Sequence, residues 1–521
     1  MRGYKKTVKF VGRLAQIFFI ILDLSLSFKI SKSEKLRLFF ERAGGGILRF
    51  GRILSLRSDF LSPRYMAELI KLMDNTPQTP FAKMQEVFTR EMSNPVGKFF
   101  LDFSDDPIGS ASIAHVYKAK LKDGVSVAVK IQRPDAEEIF ESDFLVIIFL
   151  AQIFDFFKST SFVSAVEVAH DFIRWTRHEL DFRNEARNSD AFYKYSEGGY
   201  NAIIPKQYLN LTTKRVLVEE FVEGGILASK LINNEVSEEA LERMSVSRDI
   251  LAGNIMFEMM RQYFVDGFFH ADAHPSNIMV LPENKIAFMG FGIVGEASAN
   301  RLNLLKFLRA ISVNNMEEAT ASLVDFGENS YQEEIELFII SARDKRGAAK
   351  KLFEKIKKVI IKDFSVEAEA ILKPWIEAAG NKELSVAGRS SSSVFFRLIW
   401  EAEKYGIVFD SEVALFFRAL AITEMVTLHI SDDFDMMGAI RAFLNEYSLG
   451  EIEAVIKDRE NELNSAKKEI MSVEDGDWEE FLELVEIQKE RRFVAKERIM
   501  EIVSDYAETN EEIRSLLKSS K

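Results

Sequence analysis

The residue types best suited to chemistry cluster in His270-Ala271-Asp272-Ala273-His274-Pro275-Ser276-Asn277, followed after an apolar stretch by Met289-Gly290-Phe291-Gly292. An Asp with an Asn five residues on and a further acidic position downstream is a spacing that phosphoryl transfer uses. The Asp accepts or orients the acceptor's proton, while an amide oxygen and a carboxylate hold Mg²⁺ against the phosphates. Gly290 stands where that second carboxylate is expected. A competing reading takes His270, His274 and Asp272 as a zinc set, which lacks a fourth ligand. His270 is expected to orient the loop rather than to bond a ligand.

Upstream, Gly109-x-Ala111-x-x-Ala114-x-Val116, with Ser112 and Ile113 inside it, occupies the frame of a phosphate-covering loop, Gly-x-Gly-x-x-Gly-x-Val. Glycines let backbone amides close over phosphates, whereas methyl groups stiffen the loop and hold it farther off. Nucleotide preference or affinity should differ accordingly. Lys130 ends the apolar run Val127-Ala128-Val129. A lysine there aims its ammonium into the cleft, where α- and β-phosphates would lie and a helix carboxylate would hold it. That carboxylate should come from Glu179-Leu180-Asp181-Phe182-Arg183-Asn184-Glu185. Six residues apart on one helix, Glu179 and Glu185 point to different faces, so only one is the direct partner. Val218 to Gly224 reads either as a hinge, with Glu220 and Val222 meeting an adenine edge, or as a plain strand and turn.

The elements that must position these groups follow from periodicity. Residues 1–42 read as helices rich in Leu, Phe and Lys, interrupted by Gly44-Gly45-Gly46. Ser62-Pro63 and Pro80 open further helices. Pro107 to Ala119 and Val125 to Gln132 form a hairpin about Lys122-Asp123-Gly124, and helical spacing then holds to about Tyr195. Ile203-Ile204 and Arg215 to Phe221 read as a strand pair. Helices run from Ser237 to Val265, a short strand spans Asn284 to Met289, and everything after about Ala297 reads as helical. The division is residues 1–103 as a helical extension, 104–223 and 224–449 as two lobes, and 450–521 as an acidic helical tail.

Composition sets the outer limits. The 521 residues, 47% hydrophobic and 29% charged, suit a globular chain of two or three packed regions. With no cysteine, disulfides, thiolate metal sites and cysteine nucleophiles are excluded. The net charge of −13 conceals a basic head and an acidic tail: residues 1–57 hold 13 Lys and Arg against 3 Asp and Glu, residues 450–521 hold 12 against 20. No run is long enough to span a membrane. Leu14 to Leu22, preceded by Arg2, Lys5, Lys6, Lys9 and Arg13, reads as an amphipathic helix that is either a solvated surface or drawn to anionic lipid. Nucleic-acid binding is not expected, since the basic segment is short, helical and apolar.

The order of these motifs, from Ile47 to Ser55 through Val-Ala-Val-Lys-Ile-Gln-Arg-Pro and Glu-Leu-Asp-Phe-Arg-Asn-Glu-Ala-Arg-Asn to His-Ala-Asp-Ala-His-Pro-Ser-Asn, resembles the UbiB family of atypical kinase-like proteins, tied to ubiquinone biosynthesis. The resemblance runs from about Leu38 to Gly295. It implies an α+β, two-lobed, protein-kinase-like fold, mostly helical, with an N-terminal helical extension over the active site and a C-terminal helical region. It implies ATP or ADP binding with Mg²⁺, ATPase or phosphotransferase activity, and a cytoplasmic protein peripheral on the inner face of a membrane, near quinone or isoprenoid lipid. On it, Asp272, Lys130, Glu179 and Glu185 are the catalytic set. Asn277 and Asp181 hold metal; Gly109, Ala111, Ser112, Ile113, Ala114, Val116, Ala128, Lys130, Glu220, Val222 and Arg49 hold the nucleotide. Family members carry Lys-x-Gly-Gln in the extension, where this chain has Arg49-Phe50-Gly51-Arg52. Gly290 for Asp is the severe departure, and together with Arg52 it motivates the alternative of an impaired pseudokinase scaffold that regulates lipid or quinone enzymes.

Overall fold

The computed structural model describes residues 2–27, 30–54, 63–69, 72, 79–110, 113–157, 165–196, 202–298, 300–326, 346–391, 394–405, 407, 409 and 411–458. Ala111, Ser112, the Arg52 side chain and the acidic tail from residue 459 lie outside them. The chain forms two compact units, residues 1–246 with 272–294, and residues 247–271 with 295–521.

The first unit begins with helices α1 (Arg2–Leu26), α2 (Lys32–Ala43), α3 (Gly45–Leu54), α4 (Pro63–Leu69), α5 (Phe81–Met92) and α6 (Val96–Phe99). Ser31 caps α2 by accepting the Glu34 N–H at 3.2 Å. Of the three glycines expected to break the pattern, only Gly44, at φ +63°, separates α2 from α3, and Gly45 and Gly46 already belong to α3.

Strands β1 (Phe100–Ser110), β2 (Ala114–Leu121) and β3 (Ser126–Gln132) follow, then helices α7 (Ala136–Phe157), α8 (Ala165–Glu179) and α9 (Phe182–Ser196). After them come β4 (Ala202–Ile203), β5 (Val216–Glu220), β6 (Ile226–Leu227), α10 (Ala228–Ile232) and α11 (Glu238–Arg243). The expected hairpin is thus three strands: the run from Pro107 to Ala119 holds the end of β1 and most of β2. The antiparallel sheet is ordered β1-β2-β3-β5. Because strand side chains alternate, Val127, Val129 and Ile131 of β3 all point into a core shared with Met84, Val87 and Phe88 of α5. Ala128 and Lys130 consequently take the opposite face.

The strand pair expected between residues 203–204 and 215–221 does not form. β4 pairs instead, in parallel, with the strand Ile286–Phe288, more than eighty residues on, while β5 pairs with β3. Between these segments the chain contributes α12 (Arg248–Arg261), a π-helical turn (Gln262–Asp266) and β7 (Phe268–His270) to the second unit, before returning as β8 (Ile278–Val280) and β9 (Ile286–Phe288).

From Arg301 on, the described part of the second unit is helical, as its spacing predicts: α13 (Arg301–Ser312), α14 (Met316–Phe326), α15 (Arg346–Ala379), α16 (Val386–Arg389), α17 (Val394–Glu403), α18 (Ser411–Ile430) and α19 (Met436–Glu446). Its core includes paired charges. Arg261 bridges Glu258 and Asp266 while only 3% exposed. Glu424, 1% exposed, accepts the Ser391 N–H and hydroxyl at 2.5 Å each and the Trp375 indole N–H at 3.3 Å. Burial, opposed by these donors, pushes its carboxyl up to about 7.

Candidate active site

Lys130 leaves β3 on the face opposite the Val127–Ile131 core. Its ammonium meets both oxygens of Glu185 at 2.9 and 2.8 Å and lies 4.9 Å from the centre of the Phe182 ring. Burial lowers the lysine's affinity for its proton, but Glu185, with Glu179 and Glu219 adding field, outweighs that and holds it above the ordinary lysine value. Lys130 therefore stays cationic.

Glu185 and Glu179 do not share a helix. The chain breaks at Leu180-Asp181, where Leu180 is buried and its carbonyl accepts the Gln132 amide at 2.9 Å. Asp181 accepts the Arg183 N–H at 3.1 Å and its guanidinium at 2.9 and 2.6 Å, which holds its carboxyl below the usual range. Asp181, expected as a metal ligand, is thus the starting cap of α9. The break sends Glu179 elsewhere: it forms an ion pair with Arg49 of α3. Arg49 is anchored by its neighbours, with Phe50 against Phe172 at 5.0 Å between ring centres and the Gly46 N–H donating to Asp143 at 2.7 Å.

Helix α9 then reaches the downstream motif. Three residues past Glu185, the Asn188 amide donates to the Phe291 carbonyl at 2.9 Å. Seven past it, the Phe192 ring stacks on Phe291 with centres 4.7 Å apart. Residues i, i+3 and i+7 share one helix face, so a single face holds both Lys130 and the Gly290-Phe291-Gly292 segment. Sequence reasoning quoted Asn188 without assigning it and missed Phe192; the helical period starting from Glu185 would have found both. It also missed Glu219 on β5, whose carboxylate accepts the Gln207 amide at 3.0 Å and whose carboxyl burial pushes up to about 7.

At the loop itself the Asn277 side-chain amide donates to the Asp272 carbonyl at 2.9 Å and to its carboxylate at 3.1 Å. The Met289 N–H donates to the Asn277 carbonyl at 2.9 Å, laying Gly290 beside it. Gly290 has φ +74°, and a Cβ there would lie 2.8 Å from Asn277 Oδ1. The side chain missing from position 290 leaves room that the Asn277 amide fills. At Gly292 a Cβ would sit 3.2 Å from Glu179 Cγ, so the ion pair with Arg49 lies against this same segment. Asp272 and Asn277 remain half-buried, within reach of a ligand. His274 Nδ1 accepts the Ser276 N–H at 3.3 Å, a cap for the 275–277 turn, and His270, buried in the second unit, donates its backbone N–H to Gln262 at 3.0 Å. Among the described residues no three His, Asp or Glu side chains gather as a metal set, which leaves the zinc reading without support.

The remaining expected positions are more mixed. Gly109 pairs with Val116 across β1 and β2, Ile113 and Ala114 are buried, and the Ile113 carbonyl accepts the Arg133 N–H at 2.8 Å. Ala128 is buried beside Lys130 on its strand. The Glu220 N–H is used within the protein, donating to the Lys206 carbonyl at 2.8 Å, and Val222 is half-buried just beyond β5. For Mg²⁺, which takes one or two protein oxygens and completes its shell with phosphates and water, Asp272 and Asn277 offer one carboxylate and one amide oxygen. The donor set fits the ion with one protein ligand fewer than the motif would provide.

Residues 71–323 match the ABC1 atypical kinase-like domain. The chain is 34% identical over 307 residues to a Marinobacter nauticus protein named probable protein kinase UbiB, covering 56% of this chain and 54% of that one. It is 32% identical over 266 residues to Arabidopsis thaliana protein ACTIVITY OF BC1 COMPLEX KINASE 3, covering 51% and 36%. It is 30% identical over 283 residues to an uncharacterised Synechocystis protein, covering 53% of this chain and 68% of that one. The chain spans about half the length of most curated relatives it matches. With its α+β architecture and its lysine–glutamate and Asp272–Asn277 pairs, the chain belongs to the UbiB/ABC1 family of atypical kinase-like proteins.

Proposed function

We propose that the first unit binds ATP or ADP with Mg²⁺ and, from ATP, transfers the γ-phosphoryl group to an acceptor hydroxyl or to water with ADP leaving, acting in quinone or isoprenoid-lipid metabolism at a membrane surface. The observation that carries this reading is the single face of α9, which holds Lys130 through Glu185 and the Gly290–Gly292 segment through Asn188 and Phe192. In that arrangement Lys130 neutralises phosphate charge, Asp272 takes the proton of the attacking hydroxyl or water, and Asp272 and Asn277 oxygens would hold Mg²⁺, whose charge offsets that developing on the phosphates. The basic head, with its 13 cationic residues, favours an anionic lipid surface. Titration of the full chain with ATP and ADP, with and without Mg²⁺, tests the reading, and absence of binding in every case removes it.

A second reading has its own observation. The Asn277 amide fills the space beside Gly290 and is bonded to Asp272, which favours a pseudokinase that binds nucleotide weakly or without metal and regulates lipid or quinone enzymes through its surfaces. ATP turnover that is lost in Asp272→Asn rules this out.

A further inference from the structure

Helix α1 is turned the wrong way for a soluble surface. Its core side is supplied by Ile17, Leu14 and Phe10, packed with Phe140, Phe144 and Ile147 of α7. Its outer side is also apolar: Val11, Phe18 and Leu22 are 58%, 62% and 46% exposed, spaced seven and four residues apart on one stripe. Helix α7 repeats the pattern, with Leu145, Phe149 and Ile153 at intervals of four, each more than 40% exposed. Arg13 locks the two helices side by side through Asp143, at 2.7 and 3.2 Å. Two packed helices that each present an apolar row outward are unusual on a monomer in water.

Three facts choose the occupant. The N-terminal half of α1 carries Arg2, Lys5, Lys6, Lys9 and Arg13, with no acidic residue before Asp23. Neither helix is long and apolar enough to cross a membrane. Three of the four acidic residues on the first turns of α7 pair with cations, Glu137 with Lys214, Glu141 with Arg177 and Asp143 with Arg13, which reduces the repulsion they exert on an anionic surface. A symmetric pair of chains would bring the cationic segment against its own copy, whereas anionic phospholipid complements it.

We infer that α1 and α7 form one docking face that lies in the headgroup region of an anionic bilayer, α1 supplying charge and apolar contact and α7 apolar contact. This rests on the reading that the basic head meets anionic lipid, and it adds the second helix, which charge alone would not require.

The test uses the full chain and phosphatidylcholine vesicles with or without phosphatidylglycerol, read by co-sedimentation, with the urea-unfolding midpoint as the folding control. Wild type should sediment with the anionic vesicles and less so as salt rises. The double variant Leu145→Asp/Phe149→Asp should bind them about tenfold or more weakly while its unfolding midpoint matches wild type. Wild-type vesicle binding by that variant overturns the two-helix face and leaves the basic head standing. Indifference of the wild type to phosphatidylglycerol overturns both. Should the wild type be a dimer that the variant makes monomeric, the occupant is a second copy and the inference fails. Loss of nucleotide binding bears only on the proposed activity.

Discussion

Replacing Gly290 by Ala isolates the departure that matters most at this site. Two costs add. The backbone at φ +74° is left-handed, which disfavours an L-residue by about 1–2 kcal/mol. The new Cβ would lie 2.8 Å from Asn277 Oδ1 and 3.0 Å from Cγ, so the amide must swing away and its two bonds to Asp272 weaken, at about 1–2 kcal/mol. The substitution should therefore destabilise the first unit by about 2–4 kcal/mol. Asn277→Ala removes the atoms that the Cβ meets. In that background Gly290→Ala should cost only the backbone share, leaving a coupling of about 1–2 kcal/mol in the double-mutant cycle. Urea denaturation monitored through Trp175, the one tryptophan in residues 1–246, gives the four stabilities once Trp375, Trp400 and Trp478 are changed to Phe throughout. Strict additivity, or a Gly290→Ala protein as stable as its parent, would refute the reasoning. Gly290→Asp meets the same obstacle at Cβ, so restoring the carboxylate alone should displace Asn277 rather than complete a ligand set.

Lys130→Met leaves Glu185 without its cation in a site where that carboxylate is 6% exposed; the cost should be about 2–3 kcal/mol, reduced from the fully buried case because the lysine is 19% exposed, and ATP affinity should fall by about tenfold or more. Asn188→Ala and Phe192→Ala each release Phe291 and should weaken Mg²⁺-dependent more than metal-free nucleotide binding, as titration calorimetry would report; equal effects would mean that α9 does not position that segment. Glu424 gives a pH signature in the second unit. Its folded carboxyl titrates at about 7 against 4.5 in the open chain, so the folded form keeps a proton that the unfolded form has lost. Its contribution is complete below pH about 4.5 and falls as pH rises to 7, by about 2–3 kcal/mol. Glu424→Gln should flatten that part of the profile in thermal unfolding across pH 4–8, and an unchanged slope would exclude Glu424 as its source.

What could be read from the sequence was whatever local spacing encodes. The alternation that ends at Lys130, the Asp272–Asn277 interval and the helices before Phe99 are short-range patterns, and each has its counterpart in the fold. The choice between Glu179 and Glu185 was not legible by spacing, because the helix assumed to carry both is interrupted. Asp181 was read as a ligand although an Asp directly before an amphipathic run is also a helix start. The parallel partner of β4 lies beyond an entire excursion into the second unit, a non-local choice that no window of sequence contains. At Gly290 the sequence showed a missing carboxylate; only coordinates showed a left-handed backbone with a neighbouring amide in the vacated space.

The two functional readings differ in a quantity that the geometry bounds. Removing one group that stabilises the transition state costs about 10²–10³ in rate. Kinases turn over at about 1–100 s⁻¹, so losing the carboxylate at position 290 while keeping Lys130, Asp272 and Asn277 leaves a rate on the order of 10⁻³–1 s⁻¹. Such an enzyme is slow, not silent. A silent protein requires a second loss, and the structure offers one: the Asn277 amide nitrogen, not its oxygen, faces the Asp272 carboxylate, so the amide must rotate before the two residues can share one cation, and Gly290 leaves it the room to do so. Turnover within the window and abolished by Asp272→Asn means that the amide does rotate when nucleotide arrives. Turnover below it, with nucleotide binding intact, means that the Asn277–Asp272 bond persists and that the cleft serves as a sensor of nucleotide instead of a site of transfer.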